Sequence, residues 1–127
     1  MKNKTKVAIA GLGFGESVHL PALKSNNNLE PIALWHPNKS KLDESCKRNN
    51  LIGFDKWSEL LKKDDIKGII IATPPEPRFE LAREALVAGK HLLLEKPVAL
   101  NYSQVEELQR LAINKRLSVA VDFEYRA

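Results

Sequence analysis

The sequence has a single cysteine, few aromatic residues and no long apolar run. Cys46 has no second cysteine for a disulfide or a cysteine-based metal site, so we expect no metal and a reducing, cytoplasmic setting. Aromatic residues make up 6% of the chain and do not interleave with a basic stripe, which argues against a nucleic-acid partner. Glycines and Glu16 cut short the apolar stretch after the basic N-terminal residues, so we expect neither a signal peptide nor a membrane partner.

The chain has the size and composition of one soluble domain. Of its 127 residues, 43% are hydrophobic and 28% are charged, and no repeat, low-complexity tract or long linker divides them. The net charge of +4 fits a polyanionic ligand and an ordinary lysine-rich surface equally well. We therefore interpret residues 1–127 as a single domain.

Short apolar runs alternate with segments of helical spacing. The strongest runs, at residues 7–10, 69–72 and 92–94, have the continuous apolar character of parallel strands buried on both faces. Weaker strands are expected at 31–35 and 117–123.

Helices are expected between these strands. One is a short helix over 57–62, and a second includes Leu81 and Leu86 and ends at Gly89. A third runs from Tyr102, with Asn101 as its N-cap. The alternation predicts an α/β fold: a doubly wound parallel sheet in three αβα layers. Such sheets bind ligands at the carboxyl ends of their strands.

A glycine-rich turn follows the first strand. Residues 11–16 read GLGFGE, which matches the dinucleotide fingerprint except at its last position and predicts that the sheet is a Rossmann dinucleotide-binding domain. Gly11 allows a tight turn, and Gly13 lets the main chain approach a pyrophosphate. We assign Gly11, Gly13, Phe14 and Gly15 to coenzyme binding; the alternative is a flexible turn without a ligand.

Two neighbouring residues depart from the ordinary pattern. Glu16 occupies the place of a small residue, and we expect its carboxylate to point to solvent, away from a phosphate. Pro21 interrupts the first helix, which predicts a kink or a restart there.

The end of the second strand bears on the choice of coenzyme. The acidic residue that binds the ribose of NAD is expected about twenty positions after the fingerprint, near His36, and no carboxylate lies there. His36 and Lys39 offer hydrogen-bond donors, which favours NADP over NAD without excluding NAD. Alternatively, Lys39 and Lys41 belong to the solvated first turn of the next helix, with Asn38 as its N-cap.

Several motifs together resemble one family. They are the glycine turn, HLPAL at 19–23, Thr-Pro-Pro at 73–75, and AGKH at 88–91 leading to Glu-Lys-Pro at 95–97. Over nearly its whole length the chain resembles the glucose-fructose oxidoreductase, inositol dehydrogenase and MocA (Gfo/Idh/MocA) oxidoreductases.

This resemblance implies roles for residues at two loops. Thr73 and Pro74 would line the nicotinamide side of the coenzyme. Glu95 would position the nicotinamide ribose, and Lys96 would reach the reacting end as the catalytic residue. A cis bond before Pro97 would fix the direction of the lysine.

Other positions inherit no role. Arg78 stands where the family often has a histidine after Thr-Pro-Pro, and Glu16 replaces a small residue. His19 and His91 are interpreted as structural. In the family a second domain carries the substrate contacts and usually the histidine that accepts the hydroxyl proton, and we expect that domain to be absent from these 127 residues.

The resemblance implies the coenzyme domain of an NAD(P)-dependent oxidoreductase. Hydride would pass between the nicotinamide and a hydroxyl or keto carbon of a sugar- or polyol-like substrate, which the missing domain would bind. We expect a homo-oligomer, because an isolated domain would expose apolar surface. The alternatives are a non-catalytic dinucleotide-binding or sensor module and a purely structural domain.

Overall fold

Parallel strands form the central layer of the molecule. The computed structural model describes residues 4–13, 15–95 and 101–122. In this part of the chain the strands are β1 (Thr5–Ala10), β2 (Leu29–Trp35), β3 (Ile52–Phe54), β4 (Ile66–Ile71), β5 (His91–Glu95) and β6 (Val119–Asp122). They pair in the order β3-β2-β1-β4-β5-β6, and every neighbouring pair is parallel. The strand order reverses between β1 and β4, which is where doubly wound sheets bind their ligands.

Helices cover both faces of this sheet. They are a π-helical turn (Gly15–His19), α1 (Leu20–Lys24), α2 (Lys39–Asn49), α3 (Trp57–Leu61), α4 (Pro75–Val87) and α5 (Tyr102–Lys115). Because side chains alternate along a strand, β1 contributes to two cores. Val7 and Ile9 pack into the core that includes residues of α1 and α2, whereas Ala8 and Ala10 pack into the core that includes residues of α3, α4 and α5. The predicted three-layer Rossmann fold is confirmed.

The five expected strands are all present, with small shifts at their ends. The strand expected over 117–123 begins at Val119. The helix ends were also predicted: the Asn101 side chain accepts the backbone N–H of Gln104 at 3.0 Å, and Gly89 has a φ of +87° just after α4.

Strand β3 was not predicted. It has three residues with Gly53 in the middle, and Ile52 is 57% exposed. A run this short carries neither an alternating nor a continuous apolar pattern, so sequence reasoning had no signal for it.

Pro21 lies at the boundary between two kinds of helix. The π-helical turn ends at His19, and α1 starts at Leu20, which places the proline in the first turn of α1. His19, the residue before α1, has helical dihedral angles (φ −72°, ψ −39°), so the helical backbone continues through this boundary. We expected a kink or a restart at Pro21, and the structure has a change from π-helix to α-helix there.

Candidate nucleotide-binding site

The glycine turn brings the end of β1 against the end of β4. Gly11 has a φ of +107°, and a β-carbon there would lie 2.7 Å from the carbonyl oxygen of Ala72. Only glycine fits this position without a shift of the backbone. At Gly13 the opposite holds, since a β-carbon there would meet nothing within 4 Å. Gly13 therefore leaves open space beside the main chain, as a phosphate-binding turn requires.

Gly15 has the packing role that the fingerprint places one residue later. A β-carbon on Gly15 would lie 2.7 Å from Cγ2 of Ile9, so the helical segment approaches β1 as closely as glycine allows. The π-helical turn begins at this residue.

Glu16 lies against the end of α2, contrary to the expectation that it points to solvent. Its side chain is 24% exposed, and its Oε2 accepts hydrogen bonds from Arg48 Nη2 and Asn49 Nδ2, both at 2.8 Å. Burial opposes ionisation, but hydrogen bonds with Ser45, Arg48 and Asn49 together lower the pKa of Glu16. The guanidinium compensates the carboxylate charge, which reduces its repulsion of a bound phosphate.

A cleft of about 600 Å³ opens at the carboxyl ends of β1, β2 and β4. Five predicted site residues line it: Gly11, Gly13, His36, Thr73 and Pro74. The predicted Gly15 and Lys39 are not among its lining residues, and Glu95 lies at the end of the neighbouring strand β5. Phe14, Lys96 and the bond before Pro97 lie outside the described residues.

The end of β2 presents a neutral imidazole to this cleft. Nδ1 of His36 accepts the backbone N–H of Asn38 at 2.9 Å, which places the ring proton on Nε2. Burial is the main cause that lowers the pKa of His36, and the nearby charge of Lys41 lowers it further. The hydrogen bond with Asn38 acts in the opposite direction but is outweighed. His36 therefore offers one N–H donor at neutral pH.

Lys39 and Asn38 begin α2. The Asn38 side chain accepts the backbone N–H of Lys41 at 3.1 Å and so caps the helix. Lys39 is 72% exposed, and its Nζ lies 3.6 Å from Oδ2 of Asp43 one turn later. Its charge lies on the side of the sheet where β2 ends.

Arg78 joins the ends of β4 and β5, which sequence reasoning missed. The residue is 4% exposed and lines the cleft. Its Nη1 donates to the carbonyl oxygen of Glu95 at 2.5 Å, and its Nη2 donates to the carbonyl oxygen of Thr73. Burial lowers the pKa of Arg78, while the charge of Glu95 opposes that shift.

His19 also contacts Glu95 at the end of β5. The residue is 7% exposed, and its Nε2 is hydrogen-bonded to Oε1 of Glu95. The structural interpretation of His19 was therefore incomplete, since its side chain contacts a predicted coenzyme-binding residue. By contrast, His91 starts β5 at the opposite edge, where its Nδ1 accepts the backbone N–H of Ser118 at 3.0 Å.

Residues 4–13, 15–95 and 101–122 contain neither a metal-binding cluster nor a membrane-spanning helix. No cluster of three or more histidine, cysteine, aspartate or glutamate residues there is arranged to hold a metal ion. No helix in those ranges combines the length and the apolar character needed to cross a bilayer.

Comparisons with known proteins agree with this geometry. A sequence model of the Gfo/Idh/MocA family, described as an oxidoreductase family with an NAD-binding Rossmann fold, matches residues 5–123. An uncharacterized oxidoreductase of Synechocystis is 40% identical over 121 residues, which are 94% of this chain and 33% of that protein. Glucose-6-phosphate 3-dehydrogenase of Bacillus subtilis is 28% identical over 95% of this chain and 34% of its own length. The chain thus spans about one third of these relatives.

Solved structures share the fold. A 3-ketoreductase from Actinomadura kijaniata, in complex with NADP and TDP-benzene, superimposes with a TM-score of 0.89 at 26% identity, covering 94% of this chain and 37% of that one. Biliverdin reductase from Synechocystis, in complex with biliverdin and NADP+, gives a TM-score of 0.86 at 25% identity, covering 93% and 37%. The predicted fold is therefore that of known reductases.

Proposed function

Because the chain belongs to the Gfo/Idh/MocA oxidoreductase family, we propose that it is the coenzyme-binding domain of an NAD(P)-dependent oxidoreductase. The observation that carries this proposal is the cleft at the switch point of the sheet, with Gly11 and Gly13 in its lining. The main-chain amides of residues 12–15 would donate to the diphosphate, since the Gly11 N–H already donates to the carbonyl oxygen of Trp35 at 3.0 Å. The open space beside Gly13 and the compensated charge of Glu16 support this fit.

We propose NADP as the preferred coenzyme. At the end of β2, His36 stands where a carboxylate is expected in an NAD-binding domain, and His36 offers an N–H donor there. The positive charges of Lys39 and Lys41 lie in the first turn of α2, where they would attract a 2′-phosphate. The ketoreductase and the biliverdin reductase were both solved with NADP, which supports the same choice.

We propose that Thr73, Pro74, Glu95 and Lys96 surround the reacting half of the coenzyme. A bound nicotinamide accepts or supplies a hydride at its C4 atom. Thr73 and Pro74 form a stiff wall, since the Thr73 hydroxyl donates to the Pro74 carbonyl oxygen at 3.2 Å. Lys96, the proposed catalytic residue, would donate a hydrogen bond from Nζ to the substrate oxygen or accept its proton.

The proposed substrate is a sugar- or polyol-like alcohol or ketone. Two relatives support this class by their names, the glucose-6-phosphate 3-dehydrogenase and the 3-ketoreductase bound to TDP-benzene. The biliverdin reductase shows that the same fold also occurs with a different kind of substrate. Substrate contacts would come from the remaining two thirds of a protein of the relatives' length.

We also propose self-association and a cytoplasmic setting. An apolar groove of about 320 Å³ lies at the amino-end side of the sheet, between Leu23 and strands β4 and β5, and its lining includes Ile70 and Leu93. Outside this groove, Val87 is 52% and Ile113 is 75% exposed, and exposed apolar side chains favour pairing with a second copy. Light scattering that shows a monomer at every concentration would contradict self-association. The setting rests on the single thiol of Cys46, which is buried in the core.

Tryptophan fluorescence tests coenzyme binding directly. Trp35 lines the cleft, and its ring centroid lies 5.0 Å from that of Trp57, so a reduced nicotinamide bound nearby would accept excitation from the pair. Saturable quenching by NADPH or NADH is expected. No quenching with either coenzyme at millimolar concentration would contradict the proposal. Binding without hydride transfer in a protein of the relatives' full length would instead favour a sensor.

A further inference from the structure

Three ionisable residues, two buried and one partly buried, meet at the end of β5, and we refer to them as the Glu95 clamp. They are His19 from the π-helical turn, Arg78 from the first turn of α4, and Glu95 itself. The side chains of His19 and Glu95 are 8% and 13% exposed. Removing ionisable side chains from water costs free energy, and pairing them with one another often only offsets that cost. Core stability alone therefore does not explain why these three residues are placed together.

Glu95 is held at two separate points. His19 binds its carboxylate through Oε1, whereas Arg78 binds its main-chain carbonyl oxygen at 2.5 Å. The same guanidinium also binds the carbonyl oxygen of Thr73. Side chain and backbone of Glu95 are therefore fixed together, and the loop after β4 is fixed with them.

The clamp lies on the side of the cleft opposite to the end of β2. In a doubly wound sheet the dinucleotide crosses the carboxyl edge at the switch point, with its adenosine ribose at the end of β2. The nicotinamide half must then lie toward β4 and β5. Thr73 and Arg78 line the cleft on that side, and Glu95 follows directly beside them.

We infer that His19 is a positioning residue, which holds the Glu95 carboxylate toward the nicotinamide ribose while Arg78 fixes the main chain of Glu95 and Thr73. This inference rests on the proposed function. His19 acts through Glu95, so its removal weakens the contact with one half of the coenzyme only. The adenosine half, bound near His36, keeps its own contacts.

Two ligands of different length distinguish a positioning role of His19 from general damage to the fold. NADP+ contains both halves, whereas adenosine 2′,5′-bisphosphate contains only the half that would lie near His36. If the chain binds NAD+ more tightly, NAD+ and ADP are the corresponding pair. His19→Leu removes the donor to Glu95, and we expect its Kd for NADP+ to rise about tenfold while its Kd for the bisphosphate stays within about twofold.

A conservative variant tests whether the donor is what matters. His19→Gln keeps a side-chain N–H, so we expect it to restore most of the NADP+ affinity that His19→Leu loses. His91→Gln is the matched control, because His91 lies at the opposite end of the same strand β5, and its Kd for NADP+ should equal that of the wild type.

A second route covers the case in which His19→Leu does not fold. Glu95→Gln alone and His19→Phe alone should each weaken NADP+ but not the bisphosphate, since His19→Phe keeps a ring without a donor. The double variant should bind NADP+ little more weakly than either single variant, because both changes act on one contact. Additive losses in this double-mutant cycle would overturn the inference.

The remaining outcomes are separable. Equal losses for NADP+ and the bisphosphate in His19→Leu, no loss for either, or no rescue by glutamine would overturn the clamp while leaving the proposed function standing. A wild-type chain that binds neither coenzyme would overturn the proposed function first, and the clamp with it.

Discussion

Gly11 and Ala72 approach so closely that a β-carbon on Gly11 would lie 2.7 Å from the Ala72 carbonyl oxygen. The backbone N–H of Ala72 donates to the carbonyl oxygen of Ala10 at 2.8 Å, so the ends of β1 and β4 are joined at this point. The glycine turn is thus fixed against the neighbouring strand before any ligand binds.

We therefore expect Gly11→Ala to destabilise the fold. A residue with a side chain is strained at a φ of +107°, and its β-carbon would also clash with the main chain of Ala72. We expect the strain and the clash together to lower the free energy of unfolding by at least about 1–3 kcal/mol. Urea denaturation measures the loss in the free energy of unfolding. Gly68→Ala is the control, since a β-carbon there would lie 3.4 Å from its nearest neighbour, and it should cost much less.

The hydrogen bonds of Glu16 predict a specific acid dependence. Because its pKa is lowered on folding, the Glu16 carboxylate stabilises the fold above its ordinary pKa of 4.5, and that contribution disappears as the pH falls through the lowered pKa. Glu16→Gln should cost roughly 0.2–1 kcal/mol at pH 7, and the difference from wild type should shrink in acid. The exposed Glu30, changed to Gln, is the control. If the loss in the free energy of unfolding caused by Glu16→Gln stays constant from pH 7 to pH 3, this account is refuted.

The first turn of α2 predicts the choice of coenzyme. NADPH should bind more tightly than NADH, and Lys39→Ala should weaken NADPH severalfold while leaving NADH unchanged, because only NADPH carries the 2′-phosphate. Lys62→Ala removes the same charge after α3 and should change neither Kd. Equal Kd values of the wild type for both coenzymes would defeat the NADP preference.

The proposed role of Lys96 predicts a loss of turnover. In a protein of the relatives' full length, Lys96→Ala should lower kcat by roughly 10²–10⁴-fold, as expected when a group that transfers a proton is removed. Coenzyme Kd should change much less than kcat. Full turnover in Lys96→Ala would rule out the assignment.

The fold was accessible from the sequence because parallel strands in a doubly wound sheet are apolar on both faces. Ile69 and Ile70, adjacent in β4, belong to different cores, so the run is continuous and easily found. The helix caps were equally local, since Asn101 needs only the residues that follow it.

The contacts within the site were less accessible. His19 and Glu95 are 76 residues apart, and no local spacing indicates that the sheet order brings them together. Arg78 was set aside because it departs from the family pattern, yet its length lets it reach two carbonyl groups at the strand ends. Glu16 was expected in solvent because an inward carboxylate would repel a phosphate, and its partner Arg48 belongs to another helix that the sequence does not place beside it.

The central claim is that the main chain around Gly13 receives the diphosphate of a pyridine nucleotide, and calorimetry of Gly13→Val against the wild type tests it most directly. A β-carbon at position 13 meets nothing within 4 Å, so we expect the variant to fold with a side chain in the space that the diphosphate needs. The account predicts that the wild type binds NADPH and that Gly13→Val binds it at least about tenfold more weakly. A folded Gly13→Val chain with wild-type affinity, or a wild type that releases no heat with either coenzyme, would contradict it.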